Sequence, residues 1–357
     1  MTTLTTETID PQRFKAATVL EFVEQALLKS GVNESVAKLT AKGLWQATIR
    51  GVDSHGIRLL PHYLNSVKGG RINSNPKFRF EKTTASTGRL DADHGFGHAA
   101  GITAMHHAMG LAQTSGTGQV AVFNSNHCGS MAYFALEACT RDMIGNAYTH
   151  ATPSMQSTGA TSKFFGTNPI CMTAPMASEG PFCYDGATTQ VSINKIRMHG
   201  DSDKDIPLGW GADESGNETT IPSEVAQLLP IGGYKGFGLA MMVDIFSSML
   251  TGAPSGDQVS KMFKDPLSEK RHLGQFYSAT RIDAFEEPER FKTRLQDTTE
   301  RIRSQARLEP EVAVQIPGDP EKAHQADREM NGIPINDTVL EQFETIAQEL
   351  KIQSLAV

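Results

Sequence analysis

The sequence is poor in cysteine, and its cysteines are not spaced as metal ligands or as a disulfide framework. Only four occur in 357 residues, and none forms a C-x-x-C pair: Cys128, Cys139, Cys171 and Cys183. The histidines of one region lack the H-E-x-x-H pattern and a carboxylate at ligand spacing: His94, His98, His106 and His107. We therefore expect free thiols in a reducing compartment and no metal site.

Two further absences narrow the class of protein. No apolar run approaches the ~20 residues that cross a bilayer, and residues 1–10 have neither the basic start nor the apolar centre of a secretion signal. Acidic residues outnumber basic ones by 40 to 33, and no basic tract is present to neutralise phosphates. The sequence predicts a cytoplasmic protein that binds neither membrane nor nucleic acid, although one arginine in a cleft could bind a small carboxylate.

The length and the order of elements favour two lobes. A chain of 357 residues exceeds the usual size of one domain, which is roughly 100–200 residues. Asp10-Pro11 predicts the start of a first helix, and Asn33 the N-cap of a second helix that leads to Arg50. Beyond residue 76, β-like runs alternate with helical stretches, which is typical of an α/β lobe. Later segments predict a polar arm at 200–220 and helices at 239–250, 286–306 and 337–350.

A glycine pattern at residues 95–100 fits the dinucleotide-binding sequence G-x-G-x-x-A, but its context does not. The preceding run, residues 87–93, is too polar for a central parallel strand. The acid that would bind a ribose is also missing between Asp93 and Asn124. We therefore predict that any nicotinamide cofactor is bound by a fold other than the Rossmann fold.

A histidine after the second predicted helix, His55, is the first candidate catalytic residue. In Asp53-Ser54-His55, the imidazole titrates near neutrality and can protonate a carbonyl oxygen as hydride reaches the carbon. A neighbouring hydroxyl and a remote carboxylate could fix its tautomer. A turn in which Asp53 and Ser54 cap the next segment explains the same residues equally well.

Two more segments have features of a binding site. His127 lies between a β-like run and a helix, where α/β proteins collect ligands, although a hydrogen-bonded loop histidine is the alternative. The glycine-rich segment 232–238 would let the backbone approach a pyrophosphate or ribose, with Lys235 as a cation at a helix start. Its spacing is not that of a Walker A loop, and a tight turn with a surface lysine is the alternative.

Taken together, these segments resemble the type 2 malate/L-lactate dehydrogenase family, which includes L-sulfolactate and ureidoglycolate dehydrogenase-like oxidoreductases. The resemblance extends from about Phe14 to Phe343. The segments that carry it occur in order along the chain, at residues 50–56, 60–63, 124–129, 166–169, 185–189, 207–211, 229–236, 250–253 and 317–319.

The resemblance implies an α/β protein with a non-Rossmann, mixed-sheet NAD(P)-binding lobe of the L-sulfolactate dehydrogenase type. That lobe would span residues 76–309, and residues 1–75 with about 310–357 would form a helical lobe for dimerisation and the substrate side. It also implies a homodimer that reversibly reduces a small 2-oxo acid with NADH or NADPH by direct hydride transfer. The alternatives are a cyclic ketimine reductase of the piperideine-2-carboxylate type and a non-catalytic ligand-binding protein that retains the fold.

The resemblance also implies roles for individual residues. His55 would be the proton donor with Ser54 and Asp185 as its orienting relay, and His127 matches a second histidine assigned as proton acceptor in some relatives. The positions that match cofactor contacts are Asp185, Gly186, Ala187, Lys235, Gly236, Gly318 and Asp319. The expected substrate contacts are Arg50, Arg58, Thr167 and Asn168.

Two departures from the family pattern affect the substrate and the cofactor. Many relatives carry an arginine four residues after the motif histidine, but this chain has Leu59 there and Arg58 one place earlier. Because one residue on a helix turns a side chain by ~100°, Arg58 would point away from the place of the family arginine. Arg50 is then a competing ligand for the substrate carboxylate. The usual Asp-Met-Ala is replaced by Asp185-Gly186-Ala187, which either loosens the cofactor wall or makes room for another group.

Overall fold

A computed structural model describes residues 11–355. Its helices are α1 (Ala16–Lys29), α2 (Glu34–Ile49), α3 (Leu60–Lys68), α4 (Gly97–Ser115), α5 (Ala132–Cys139), α6 (Ile193–Asp201), α7 (Tyr234–Asp244), α8 (Pro288–Arg303), α9 (Asp319–Asn331) and α10 (Asp337–Leu350). Its strands are β1 (Gln12–Phe14), β2 (Arg79–Lys82), β3 (Thr87–Asp91), β4 (Thr117–Ser125), β5 (Met143–Thr149), β6 (Met155–Gln156), β7 (Lys163–Phe165), β8 (Ile170–Ala174), β9 (Phe182–Gly186), β10 (Gly211–Ala212), β11 (Gln227–Leu228), β12 (Leu273–Arg281) and β13 (Ile333–Ile335). Within this range no helix is long and apolar enough to cross a membrane.

A seven-stranded mixed sheet lies at the centre of the α/β part. Its strand order is β2-β3-β4-β12-β5-β8-β9, and β3–β4 is the one parallel pair in it. Helices α4 and α5 pack on the sheet and enclose a core that includes Val120, Val122, Phe134 and Tyr277. A largely antiparallel sheet of this order is not the doubly wound parallel sheet of a Rossmann fold, as the sequence predicted.

Residues 87–93, predicted to be too polar for a central parallel strand, do contain a strand, but it lies second from the edge of the sheet. Residues 87–91 form β3, which pairs with β2 and runs parallel to β4. Burial alternates along β3, so the polar side chains occupy its open face. The glycine pattern that follows serves packing, because a Cβ on Gly97 would lie 2.4 Å from the carbonyl oxygen of Asn126. Helix α4 therefore begins directly against the loop that carries His127.

The two ends of the described chain share a second core. It joins α1, α2 and α3 to α10, and its fully buried members include Leu27, Leu44, Tyr63 and Phe343. The N-cap prediction at Asn33 is confirmed, since its side chain accepts a hydrogen bond from the Ser35 amide. The division of the chain into lobes at residues 76 and 310 stays a prediction.

The predicted helix start at Asp10-Pro11 is wrong where the structure describes it. Gln12–Phe14 instead form β1, which pairs antiparallel with β13, and α1 begins at Ala16. Asp10 lies outside the described residues. The pairing partner of β1 is more than 300 residues away in sequence, so no local pattern could have announced it.

Candidate active site

The motif at residues 50–56 forms a short 3₁₀ turn between α2 and α3. Arg328 of α9 pairs with both carboxylate oxygens of Asp53, at 2.5 and 2.9 Å. The same guanidinium donates a hydrogen bond to the carbonyl oxygen of Thr48. On the other side, a Cβ on Gly56 would lie 2.1 Å from the Thr48 hydroxyl, so a glycine is required for this approach. The turn that carries His55 is therefore anchored by α2 through Thr48 and by α9 through Arg328.

His55 and His127 lie face to face in the structure. Their ring centroids are 5.7 Å apart and the ring planes differ by 20°. The Ser54 hydroxyl is 2.9 Å from Nδ1 of His55, and the Tyr63 hydroxyl is 2.5 Å from Nδ1 of His127. Neither Nε2 atom has a hydrogen-bond partner within residues 11–355. Each imidazole is thus anchored through Nδ1 and keeps Nε2 for a ligand.

Asp185, at the end of β9, is the charged neighbour of His55. Its carboxylate accepts hydrogen bonds from the Ser130 hydroxyl and the Ala132 amide, both at 2.8 Å. Burial lowers the pKa of His55, and the charge of Asp185 opposes this shift. Asp185 is open to solvent on one side, yet the loss of surrounding water raises its pKa, against the effect of its hydrogen bonds. In the predicted relay, Ser54 therefore contacts His55 directly and Asp185 acts through its charge.

The surroundings of His127 are positively charged rather than negative. Burial lowers its pKa well below the ordinary value, and neighbouring His55 and Arg271 lower it further. Arg271 is itself almost fully buried and donates hydrogen bonds to Ser260 and Thr152. Both stacked histidines are thus held through Nδ1 by a hydroxyl group, but His55 has a neighbouring carboxylate and His127 has neighbouring cations.

Of the two candidate arginines, Arg50 is buried and Arg58 is exposed. Arg50 is 7% exposed, yet its guanidinium makes no hydrogen bond or ion pair in the described part of the chain. Burial raises the pKa of Asp185, and the positive charge of Arg50 is one of the smaller effects that oppose this rise. Leu59, at the position of the family arginine, packs into the helical core. The guanidinium therefore has no competing partner in the described chain, and it can bind an incoming carboxylate.

The predicted substrate contacts Thr167 and Asn168 are already used by the fold. Asn168 is fully buried, accepts a hydrogen bond from the Ala151 amide and donates one to the Ala240 carbonyl. The carbonyl oxygen of Thr167 accepts a hydrogen bond from the Thr188 amide. These bonds tie the loop after β7 to α7 and to the segment after β9. Direct contact of either residue with a substrate stays a prediction.

The predicted cofactor contacts lie on segments that are tied to one another. The Ile231 amide donates to the Thr188 carbonyl at 2.9 Å, which brings the glycine turn before α7 to the segment after Asp185. Gly232 and Gly233 have φ of +61° and +68°, with open space where a Cβ would stand. Lys235 is exposed at the start of α7. Open backbone and a cation at a helix N-terminus suit an anionic cofactor group.

Gly318 and Asp319 have different surroundings. With φ of +98°, Gly318 packs against β9, where a Cβ would lie 3.2 Å from the Cys183 carbonyl oxygen. The carboxylate of Asp319 receives hydrogen bonds from Arg303 at 2.6 and 2.9 Å. Because of this ion pair the pKa of Asp319 lies below its ordinary value. Gly318 therefore borders the candidate cofactor strand, whereas Asp319 anchors the start of α9.

The space left by the glycine at position 186 is partly taken by an aromatic neighbour. A Cβ on Gly186 would lie 2.8 Å from the hydroxyl of Tyr184. The two residues are two apart on β9 and so share one face of the strand. The Tyr184 ring thus occupies part of the space that a side chain at position 186 would take, and the effect of Gly186 on a bound cofactor stays a prediction.

Several residues around the site were missed in the sequence. Tyr63 lies in a quoted family segment but was given no role, and Ser130 follows directly on the 124–129 segment, so both could have been found by adjacency. Arg271 and Arg328 reach the site from distant parts of the chain. Nothing in their local sequence indicates this, because their partners are set by tertiary packing.

The chain is similar along most of its length to known proteins. A family profile described as malate/L-lactate dehydrogenase matches residues 14–344. Malate dehydrogenase of Pyrococcus horikoshii is 36% identical over 348 residues, which cover 94% of this chain and 95% of that protein. Ureidoglycolate dehydrogenase (NAD(+)) of Escherichia coli K12 is 31% identical over 322 residues, with 90% and 92% covered. The solved sulfolactate dehydrogenase of Methanocaldococcus jannaschii has a TM-score of 0.90 and 31% identity, with 96% and 98% covered.

Proposed function

Because the chain belongs to the malate/L-lactate dehydrogenase family of NAD(P)-dependent oxidoreductases, we propose that it reversibly reduces a small 2-oxo acid to a 2-hydroxy acid. NADH or NADPH would be the reductant, and His55 the proton donor. The observation that carries this proposal is the group formed by His55, the unpaired buried Arg50 and the carboxylate of Asp185. It combines a proton donor, an anion ligand and a counter-charge in one place.

The reacting proton comes from His55. The nicotinamide, when bound, supplies the hydride to C2 of the substrate. The electron pair of the carbonyl bond moves to oxygen, and protonated His55 gives this oxygen the proton of Nε2 and becomes neutral. Ser54 accepts a hydrogen bond from Nδ1–H of the imidazolium, and Asp185 stabilises its positive charge. In the oxidative direction, neutral His55 takes the hydroxyl proton back.

The residues present fit a dinucleotide without a Rossmann motif. Gly232, Gly233 and Lys235 would hold its phosphates, since their backbone is open and α7 begins there. Asp185–Ala187 and Gly318 would border the cofactor from the end of β9. The Rossmann position that distinguishes NAD from NADP has no counterpart in this fold, so both cofactors are compared in the assay below.

A substrate panel tests the proposed reaction. Pyruvate, oxaloacetate, sulfopyruvate, oxalurate and piperideine-2-carboxylate would each be offered with NADH and with NADPH, and cofactor oxidation followed at 340 nm. We expect turnover with at least one 2-oxo acid. Turnover with the cyclic imine alone would instead establish the ketimine reductase. NADH binding in a fluorescence titration without turnover of any compound would favour a non-catalytic binding protein.

We also propose that the protein is a homodimer. Helix α7 and the π-helical segment Ile245–Met249 that continues it expose a row of apolar side chains: Leu239, Met241, Met242, Ile245, Met249 and, directly after them, Leu250. A contiguous apolar face of this kind is typical of a protein interface. Sedimentation should therefore give twice the chain mass, and the double change Met242→Asp with Met249→Asp should give monomers. Phe285→Asp, at an exposed phenylalanine elsewhere, is the matched control, and a monomeric unmodified protein would refute the proposal.

A further inference from the structure

We propose that His127 acts on the substrate as a neutral hydrogen-bond donor through Nε2–H, and that Tyr63 is the positioning residue that fixes this tautomer. The inference rests on the proposed function, because it assigns the second histidine of the same site. It differs from the role of proton acceptor that the family resemblance implied. His127 would contact the substrate oxygen without gaining or losing a proton.

The first step is the contact between Tyr63 and His127. The Tyr63 hydroxyl is 2.5 Å from Nδ1 of His127, and it has no other hydrogen-bond partner within residues 11–355. Tyr63 is 1% exposed, so its phenolic proton needs an acceptor inside the protein. That acceptor is Nδ1, which must then be unprotonated. In a neutral imidazole the proton therefore resides on Nε2.

The second step is that Tyr63 keeps its proton and its orientation. Its ring packs on Phe96 and His98, with centroid distances of 5.9 and 5.4 Å. Burial raises the pKa of Tyr63 well above its ordinary value, so the phenol remains a donor at neutral pH. A protonated phenol of fixed direction holds the His127 ring in one orientation, in the way that outer residues orient histidine ligands.

The third step is the charge around His127. The titratable and charged groups that face it from the packed elements are His55, His62, Tyr63, His98 and Arg271. Burial disfavours a second proton on His127, and the positive charges of protonated His55 and of Arg271 disfavour it further. His55, by contrast, has the carboxylate of Asp185 nearby. Environments that push the pKa values of two histidines apart favour different roles for them in proton transfer.

The geometry gives the imidazoles of His55 and His127 different roles in the reaction. His55 transfers its Nε2 proton to the substrate oxygen, and Nε2–H of His127 stabilises the negative charge that develops on that oxygen. No proton leaves His127 in either direction of the reaction. At position 127, a side chain that donates a hydrogen bond but cannot titrate should then preserve most of the activity. It would not preserve activity if the residue had to accept a proton.

Substitutions of His127 separate the two roles. We expect His127→Ala to lose about 10²–10³-fold in kcat, as is usual when one donor to a developing oxyanion is removed. His127→Gln, which keeps an N–H donor, should retain activity within about tenfold of the unmodified enzyme and the same pH profile. If His127 were the proton acceptor, glutamine would be as inactive as alanine and one limb of the pH profile would disappear. That result would overturn the proposal.

The role of Tyr63 is tested without turnover. Nitrogen NMR of the resting protein, with labelled histidine, should show His127 with Nε2 protonated and Nδ1 bare. Tyr63→Phe keeps the ring packing and removes the hydroxyl, so we expect a mixture of tautomers and a loss of about 10–100-fold in kcat. Protonated Nδ1 in the unmodified protein would refute the inference. Because this readout needs no substrate, it remains decisive even if the proposed reaction fails, and His127→Gln supplies the test if Tyr63→Phe does not fold.

Discussion

Replacing His55 with alanine is expected to lower kcat for 2-oxo acid reduction by a factor of about 10²–10⁴, the usual effect of losing a positioned general acid. The substrate oxygen would have to take its proton from water, which is neither oriented by Ser54 nor balanced by Asp185. Initial rates at 340 nm with saturating cofactor measure the change. His106→Ala is a matched control, because His106 is exposed and contacts Glu137 at 3.4 Å.

The pH profile gives an independent readout of the same residue. Burial lowers the pKa of His55 below its ordinary value. Reduction needs the protonated ring, so kcat/KM for the oxo acid should fall as pH rises through this lowered pKa. Oxidation needs the neutral ring and should rise over the same interval. His55→Ala should remove this limb in both directions, and an alanine variant with near-normal turnover and an unchanged profile would exclude His55 as the proton donor.

Local patterns in the sequence predicted the local parts of the structure. The helix predicted at 337–350 matches α10 to the residue, because Asn336 caps it and its apolar residues repeat at helical spacing. The bond between Ser54 and His55 follows from their adjacency in one short turn. The chemistry of the turn at 53–55 could thus be predicted once family resemblance favoured a site over a simple cap.

Long-range features could not be predicted in this way. The strand β3 looked too polar on its own, and only its pairing with β2 and β4 makes a strand favourable there. The anchor of Asp53 lies on α9, 275 residues later, and the cation beside His127 is Arg271. Such contacts depend on how the elements pack, and one sequence carries no local signal for them.

Replacing Arg50 with methionine is expected to lower kcat/KM for the 2-oxo acid about 30- to 4000-fold, mainly through KM. Truncating one partner of a buried, hydrogen-bonded charge pair costs about 2–5 kcal/mol, and each 1.4 kcal/mol is a factor of ten. Arg50 is 7% exposed and has no ion-pair partner among residues 11–355, so the substrate carboxylate is the partner that would be lost. Methionine keeps the apolar stem that packs at the end of α2.

Arg58 is the other candidate ligand for the substrate carboxylate, and comparing Arg50→Met with Arg58→Met shows which arginine binds it. Arg58 is exposed on the turn after His55, so we expect Arg58→Met to change kcat/KM less than Arg50→Met does. Arg50→Lys should recover only part of the loss, because a lysine ammonium does not reproduce the two parallel hydrogen bonds of a guanidinium. A larger loss in Arg58→Met than in Arg50→Met would transfer the assignment to Arg58.

A substrate analogue without a free carboxylate tests the same interaction as the Arg50→Met variant. If Arg50 binds that group, the methyl ester or amide of the preferred 2-oxo acid should react poorly with the unmodified enzyme. Arg50→Met should then weaken its turnover little further, since the two changes remove the same interaction and are not additive. Full additivity would show that Arg50 acts elsewhere, for instance through its charge on Asp185. Thermal unfolding and NADH binding of the variant separate either result from a loss of folding.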